Sequence, residues 1–360
     1  MIEKIRNFYQ KHEGHATSIA FILGFIWDNL TLTRIDLRLD NLILLTYLMI
    51  AGLGIIAFNT YEHDREKRNS QKNHMAWLPL VIQFAFGGLF SGFIIFYVQS
   101  ASWAASWPFI LLLIFIFIGN ERFRTHYALL PFQSAIFFTA LFLYLIFSIP
   151  VLLGTFGPGT FLLSGGIGLI GIFLLLYAIA KNAPDRLNQQ RSMLIVSILS
   201  IYIALNGMYF SNIIPPIPLA LKEIGVYHHI SRTEAGYVLR YEEAPWYRPF
   251  KKTDTIFTQN QNDPVYVWSA IFAPTKLSVD IQHEWFYFNE VKDDWELTSR
   301  IRFPITGGRD GGYRGFSLKH NVIPGKWRVE VTTLRGQLIG RTNFVVVASN
   351  EEPLLIEEIQ

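Results

Sequence analysis

The chain has 360 residues, 51% of them apolar and only 16% charged, against about 25% charged in an ordinary soluble domain. Residues 1–221 hold 14 Lys/Arg and 10 Asp/Glu, whereas residues 222–360 hold 17 and 18, and the net charge is +3. These figures exclude a single soluble globule, a disordered or fibrous chain, and a nucleic-acid binder that grips by bulk positive charge. Cysteine is absent, which excludes disulfides, thiolate nucleophiles and cysteine-ligated metal centres.

A membrane-spanning helix needs about 20 mostly apolar residues. The first apolar run, 15–32, follows a basic start (Lys4, Arg6, Lys11) and carries Asp28 in its last turn. No small-residue cleavage site follows Phe25–Ile26–Trp27, so it reads as a retained helix. The second span is 41–60. Neither the 48 residues between Lys72 and Glu121 nor the 56 between Arg124 and Lys181 include a charge. Each stretch holds two helices and a turn. The turns fall at Gln99–Ser106 and Gly154–Gly159, giving spans over 77–98, 104–120, 128–153 and 159–180. The seventh span, 192–214, ends at Pro215, Pro216 and Pro218.

Lys and Arg mark the cytoplasmic side of membrane helices. The amino terminus and alternate connections carry 12 of them and the opposite side two, Arg34 and Arg38. The amino terminus is therefore expected in the cytoplasm, and seven spans carry residues 222–360 across. Small-residue pairs (Gly88/Gly92, Ala20/Gly24, and Ser164/Gly168 beside Gly165 and Gly171) fit either packing within the bundle or a homodimer face. The intramembrane polar candidates are Asp28, Gln83, His126 and Asn206, with Gln133 beside them. An ionisable group at that depth is a functional hypothesis by default; Asp28 alternatively meets water or Arg34 at the interface.

Residues 222–263 read as a juxtamembrane linker broken by Pro245 and Pro249. Its Tyr227, Tyr237, Tyr241, Trp246 and Tyr247 either sit at headgroup level or pack as a strand on the next domain. From Pro264 the pattern is β. Trp295, Leu297, Ser299, Ile301 and Phe303 alternate with polar residues, as do Trp327, Val329 and Val331. Further strands are expected over Val265–Phe272, Val279–Phe288, Tyr313–Lys319 and Leu338–Val347, with Trp268, Trp285, Trp295 and Trp327 as core anchors. The expected fold is thus a membrane α-helical bundle of seven spans, followed over 264–348 by an all-β immunoglobulin-like sandwich and over 349–360 by an acidic tail.

Four segments occur in order: His283–Tyr287, Ile305–Gly315, Pro324–Val329 and Gly340–Phe344. Together they resemble the bacterial domain of unknown function 2914, over residues 225–348, and Gly24–Leu32 is similar to the start of such proteins. The resemblance implies a bacterial envelope protein, here an inner-membrane one, and carries no activity.

The loop Gly307–Gly315 (GGRDGGYRG) is the most unusual local feature. Its glycines permit close backbone approach and an anion-holding nest. Gly307, Gly308, Arg309, Asp310, Tyr313 and Arg314 form the candidate binding set, the arginines forking onto a carboxylate or phosphate. The alternative is a strand connection tied down by an Arg–Asp pair. His283–Glu284 lacks an HExxH partner, and His283 shares a strand face with Trp285, which suits a packed, hydrogen-bonded histidine. His228–His229 has no third ligand in register, and His320 beside the loop is a solvated strand end or a member of a site there. No P-loop and no nucleophile elbow are present, so neither a cofactor, a metal nor a catalytic set is expected. The leading expectation is a non-enzymatic protein whose partners are the bilayer and an envelope glycan, peptide or protein, with no nucleic acid. The alternative is a membrane enzyme or transporter acting on a lipid-linked or amphipathic substrate, because one helix would suffice as an anchor.

Overall fold

A computed structural model describes residues 25, 26, 28, 30–32, 38–68, 75, 77–122, 129–234, 236–248, 252–260, 263–309 and 311–360. Among these, six helices precede eleven strands. The helices are α1 (Arg38–Lys67), α2 (Leu78–Ser100), α3 (Trp103–Arg122), α4 (Leu130–Leu153), α5 (Pro158–Asn182) and α6 (Pro184–Phe210). Five of them, all but α3, are long and apolar enough to cross a membrane, and α3 contributes a shorter apolar stretch, Trp103–Gly119. Most of the expected first span lies outside the described residues.

The chain forms two compact units. One holds residues up to Val98, Phe109–Ile149 and Pro158–Met208; the other holds Gln99–Pro108, Pro150–Gly157 and Tyr209–Gln360.

In the helical unit the small residues serve packing between helices. A methyl group at Gly88 would meet the Tyr47 ring at 2.6 Å, and one at Gly92 would meet Leu44 at 2.7 Å. The pair thus lets α1 and α2 approach closely. Ser164 Oγ donates to Leu145 O across α5 and α4 at 3.0 Å, and Tyr97 OH donates to Leu143 O at 2.9 Å. Helix α1 runs seven residues beyond the expected end of its span. The extension, Tyr61–Lys67, is polar but helix-compatible, and Arg65 pairs with Glu62 one turn earlier at 2.7 Å.

The second unit is a stack of sheets. Strands β1 (Ala220–Tyr227), β5 (Val265–Phe272) and β8 (Tyr313–Lys319) form one, in the order β1-β5-β8. Strands β4 (Ile256–Gln259), β6 (Ser278–Asn289), β7 (Asp294–Thr306), β9 (Gly325–Thr333) and β10 (Leu338–Ala348) form the second, in the order β4-β10-β9-β6-β7. Strands β2 (His229–Thr233), β3 (Gly236–Tyr241) and β11 (Ile356–Ile359) form the third, ordered β11-β3-β2. All pairings are antiparallel except β4 with β10. Val265, Val267, Trp285, Trp327, Val329 and Phe344 fill the core between the first two sheets. Tyr227, Ile230, Leu239, Tyr241 and Trp268 fill a second core under β2 and β3.

Two sequence expectations change here. Residues 222–263, read as a linker with a packed strand as one alternative, carry most of β1 and all of β2 to β4, and the tail adds β11 against β3 (Ile356 opposite Tyr241). Trp295 is not a core anchor. Trp285 opposes Ser299 and Phe286 opposes Leu297, so Thr298 is an extra residue on β7. Such a bulge turns every earlier side chain to the other face. Trp295 therefore meets Phe288 and the Arg328 guanidinium, 3.9 Å above its ring, on the outward face, and Leu297 is 41% exposed.

Candidate functional site

The glycine loop is tied to the β5–β6 connection. Gly307 N donates to Leu277 O at 2.9 Å, Gly308 N to Ala273 O at 3.1 Å, and Gly312 N to Arg309 O at 3.0 Å. Three of the loop's amides are thus occupied by carbonyls. A Cβ on Gly307 would lie 1.8 Å from Pro274 O, and Gly312 has φ +84 against Ile271. These glycines are explained by close backbone approach. Of the expected set, Tyr313 packs against the core cluster of Ile271, Leu277 and Ile305, and Arg309 lies over its ring at 5.0 Å. Arg309 is exposed and Arg314 half-buried, on the outward face of β8 opposite Ala270. Asp310 lies outside the described residues.

His283 is fully buried between the first two sheets. Its Nε2 lies 2.8 Å from Ser269 Oγ and its Nδ1 2.8 Å from Ser317 Oγ, which also accepts Trp285 Nε1–H at 3.1 Å. Burial pushes its pKa down to about 3, so it is a neutral polar clip across the core. His228 lies 2.9 Å from Glu242 Oε1 and stacks on Phe257, and His229 meets the Tyr266 ring. His320 is exposed at the end of β8. Among the described residues no group of three or more His, Asp or Glu is placed to hold a metal.

Of the intramembrane candidates, Gln83 is buried on α2, Asn206 returns its amide to Tyr202 O on its own helix, and Asp28 is half-buried. His126 lies outside the described residues. Gln133 is buried too and pairs with Asn59, which the apolar runs do not single out, as they do not single out His63. Asn59 Nδ2 donates to Gln133 Oε1 at 2.7 Å, with both residues fully buried, and His63 is 3.9 Å from Asp185.

The cavity that stands out lies at the other end of the sheets from the glycine loop. About 500 Å³ in volume, it is lined by Glu242, Glu243, Asp254, Thr258, Ser349 and the tail residues Glu351–Ile356. The local chain explains its shape. Glu243 bridges to Thr253, Ser349 N donates to Gln259 O, and Glu351 N donates to Ser349 Oγ, which turns the tail back towards β3. Burial alone would raise the Glu242 pKa, but hydrogen bonds with His228 and from Thr258 outweigh it and hold the carboxyl below its ordinary value. Asp254 accepts from the amides of Thr255 and Ile256 and faces Arg248 at 4.0 Å. Lys252 is taken up by Glu358 at 2.6 Å. Glu243, Glu351 and Glu352 are exposed and have no ion pair among the described residues. Leu354, 96% exposed, gives the cleft an apolar rim. No local motif announces this site, because Glu243 and Glu351 are far apart in the chain.

Comparison with curated proteins gives no match. Among solved structures, the alkylpurine DNA glycosylase AlkC of Pseudomonas fluorescens, bound to DNA containing an abasic site analogue, aligns at 10% identity. That alignment covers 87% of this chain and 99% of the other with a TM-score of 0.20, too low to describe a shared fold. The family model "Protein of unknown function (DUF2914)" matches residues 279–346, which run from β6 into β10.

Proposed function

We propose that the chain is a non-enzymatic binding protein of the bacterial inner membrane. In this reading seven helices, the first over 15–32, hold it with the amino terminus in the cytoplasm. An immunoglobulin-like sandwich then faces the opposite compartment and takes an envelope partner. The observation that carries the reading is the acidic cleft. Three unpaired carboxylates beside an apolar rim suit a peptide or protein segment bearing Lys or Arg next to aliphatic side chains. The glycine loop, with three of its amides occupied, suits that task less well.

Exposed ion pairs contribute about 0.2–1 kcal/mol each, so removing three carboxylates should weaken binding about tenfold. The test uses the full-length protein in nanodiscs and a labelled peptide of alternating Lys and Leu, read by fluorescence anisotropy. Joint Glu243→Gln, Glu351→Gln and Glu352→Gln should produce that loss, while Arg309→Ala with Arg314→Ala should leave affinity unchanged. Unaltered affinity in the triple variant overturns the cleft as the site.

A second reading, an enzyme or transporter acting on a lipid-linked substrate inside the bundle, is favoured by the buried Asn59–Gln133 pair. It requires a lipid-linked molecule that copurifies with the wild-type chain and is lost with Gln133→Leu. Mass spectrometry of the extract decides between these outcomes.

A further inference from the structure

Among the described basic residues of the second unit, Lys319 hydrogen-bonds to Ser299 and Arg335 to Tyr209 O and Asn212, Arg232 on β2 and Arg302 on β7 have no hydrogen bond or ion pair, and the other twelve divide into two groups. Arg240, Arg248, Lys252, Lys292, Arg300, Lys326, Arg328 and Arg341 each face a carboxylate. Lys222, Lys276, Arg309 and Arg314 have no hydrogen bond or ion pair among the described residues; Lys222 and Arg309 lie only over rings, those of Phe272 and Tyr313. These four gather at one end of the unit. Ala220 pairs with Phe272 and Ile271 with Tyr313, so the start of β1, the end of β5 and the start of β8 coincide. The turn bearing Lys276 follows β5 directly, and the loop bearing Arg309 is hydrogen-bonded to that turn through Gly307 and Gly308.

What else lies at this end identifies its surroundings. The unit includes Pro150–Gly157, the last turn of α4 and the connection from it to α5. Gly154, at φ +66, donates its amide to Pro150 O and lies so close to Lys276 that a Cβ there would be 2.8 Å from Lys276 O. Phe156 packs on the cluster of Leu219, Ala273 and Leu277. Helices α4 and α5 both have spanning length, and so short a connection between two spans must lie at a bilayer face. Trp103 and Trp107, in the same unit at the start of α3, are 62% and 53% exposed, as interfacial tryptophans are.

We propose that Lys222, Lys276, Arg309 and Arg314 form a basic collar that binds the anionic phospholipid headgroups of the leaflet facing the β-rich unit. The glycines then have a stated purpose: they press the loop onto the Ala273–Leu277 turn and hold Arg309 beside Lys276 at the headgroup level. Each charge near an anionic surface contributes roughly fivefold to lipid preference.

Two measurements on the full-length chain test this. In the first, protein from membranes containing phosphatidylglycerol and phosphatidylcholine is extracted and its retained lipids are quantified by mass spectrometry. Joint Lys222→Gln, Lys276→Gln and Arg309→Gln should lower the enrichment of phosphatidylglycerol by more than tenfold. The charge-keeping pair Lys276→Arg with Arg309→Lys should preserve it, as should Arg232→Gln with Arg302→Gln elsewhere on the unit. Equal enrichment in the neutral variant, or an equal loss in the Arg232/Arg302 control, overturns the proposal.

The second measurement exploits the absence of cysteine. A dye on Gly311→Cys, where a Cβ meets only the Arg314 guanidinium at 3.9 Å, should be quenched by lipids carrying a nitroxide headgroup. A dye on Glu352→Cys at the cleft should not. No quenching at 311, or equal quenching at both positions, overturns the placement.

Discussion

His283 and Ser317 join two sheets through a hydrogen bond of 2.8 Å that no water reaches. Because the imidazole is buried, its pKa falls from 6.5 to about 3. The unfolded chain therefore binds a proton that the folded chain refuses. Stability is complete above pH 6.5 and should decline by about 1.4 kcal/mol per pH unit as the pH falls from there towards 3. Glu242 and Glu358, held below their ordinary 4.5 by hydrogen bonds that outweigh burial, add their own losses only at lower pH. Thermal unfolding of the β-rich unit, followed by tryptophan fluorescence, should therefore fall between pH 6.5 and 5 in the wild type. His283→Gln should flatten that decline.

Ser317 serves two partners, His283 Nδ1 and Trp285 Nε1. Ser317→Ala removes both bonds and strands polar atoms in the core. Each buried group left unsatisfied costs about 1–3 kcal/mol, so a destabilisation of about 2–4 kcal/mol is expected from urea unfolding. Ser269→Ala leaves the Ser317 bonds intact and should cost about half as much.

The strand pattern shows both how far the sequence can be read and where reading stops. The expected strands Val265–Phe272 and Tyr313–Lys319 match β5 and β8 at both bounds, whereas alternation along Trp295–Phe303 reads only part of β7 correctly. It failed at Trp295 because alternation records neighbours along one strand, whereas the bulge at Thr298 is a mismatch between two. The end of α1 lies beyond the apolar run for a related reason: Glu62 and His63 break that run without breaking a helix. The acidic cleft joins β3, β4 and the tail, and only the fold brings their carboxylates together. The bulge itself is testable. Leu297→Ser, on the outward side, should change stability by less than about 0.5 kcal/mol. Ile305→Ala, beyond the bulge and fully buried, should cost about 2–5 kcal/mol. Similar losses from both would mean that the register runs unbroken through Thr298.

The sequence offers the glycine loop as a ligand cradle or a tied-down strand connection, and four of its five glycines separate into different demands. Gly307 has no room, since a methyl group would lie 1.8 Å from Pro274 O and 2.6 Å from Ala273 O. Gly312 combines φ +84 with a contact of 2.8 Å to Ile271 C, so a side chain there is both strained and obstructed. Gly308, at φ +94, combines an unfavourable backbone with a tight contact of 3.3 Å to the Thr275 methyl, which must give by a few tenths of an ångström. Gly311 has neither constraint. Alanine should therefore cost about 3 kcal/mol or more at Gly307 and Gly312, about 1–2 at Gly308, and less than about 0.5 at Gly311. Denaturant unfolding of the four variants checks the order. A ligand cradle would instead show loss of binding at Gly311 and Gly308 with stability unchanged, which separates the two meanings of the same nine residues.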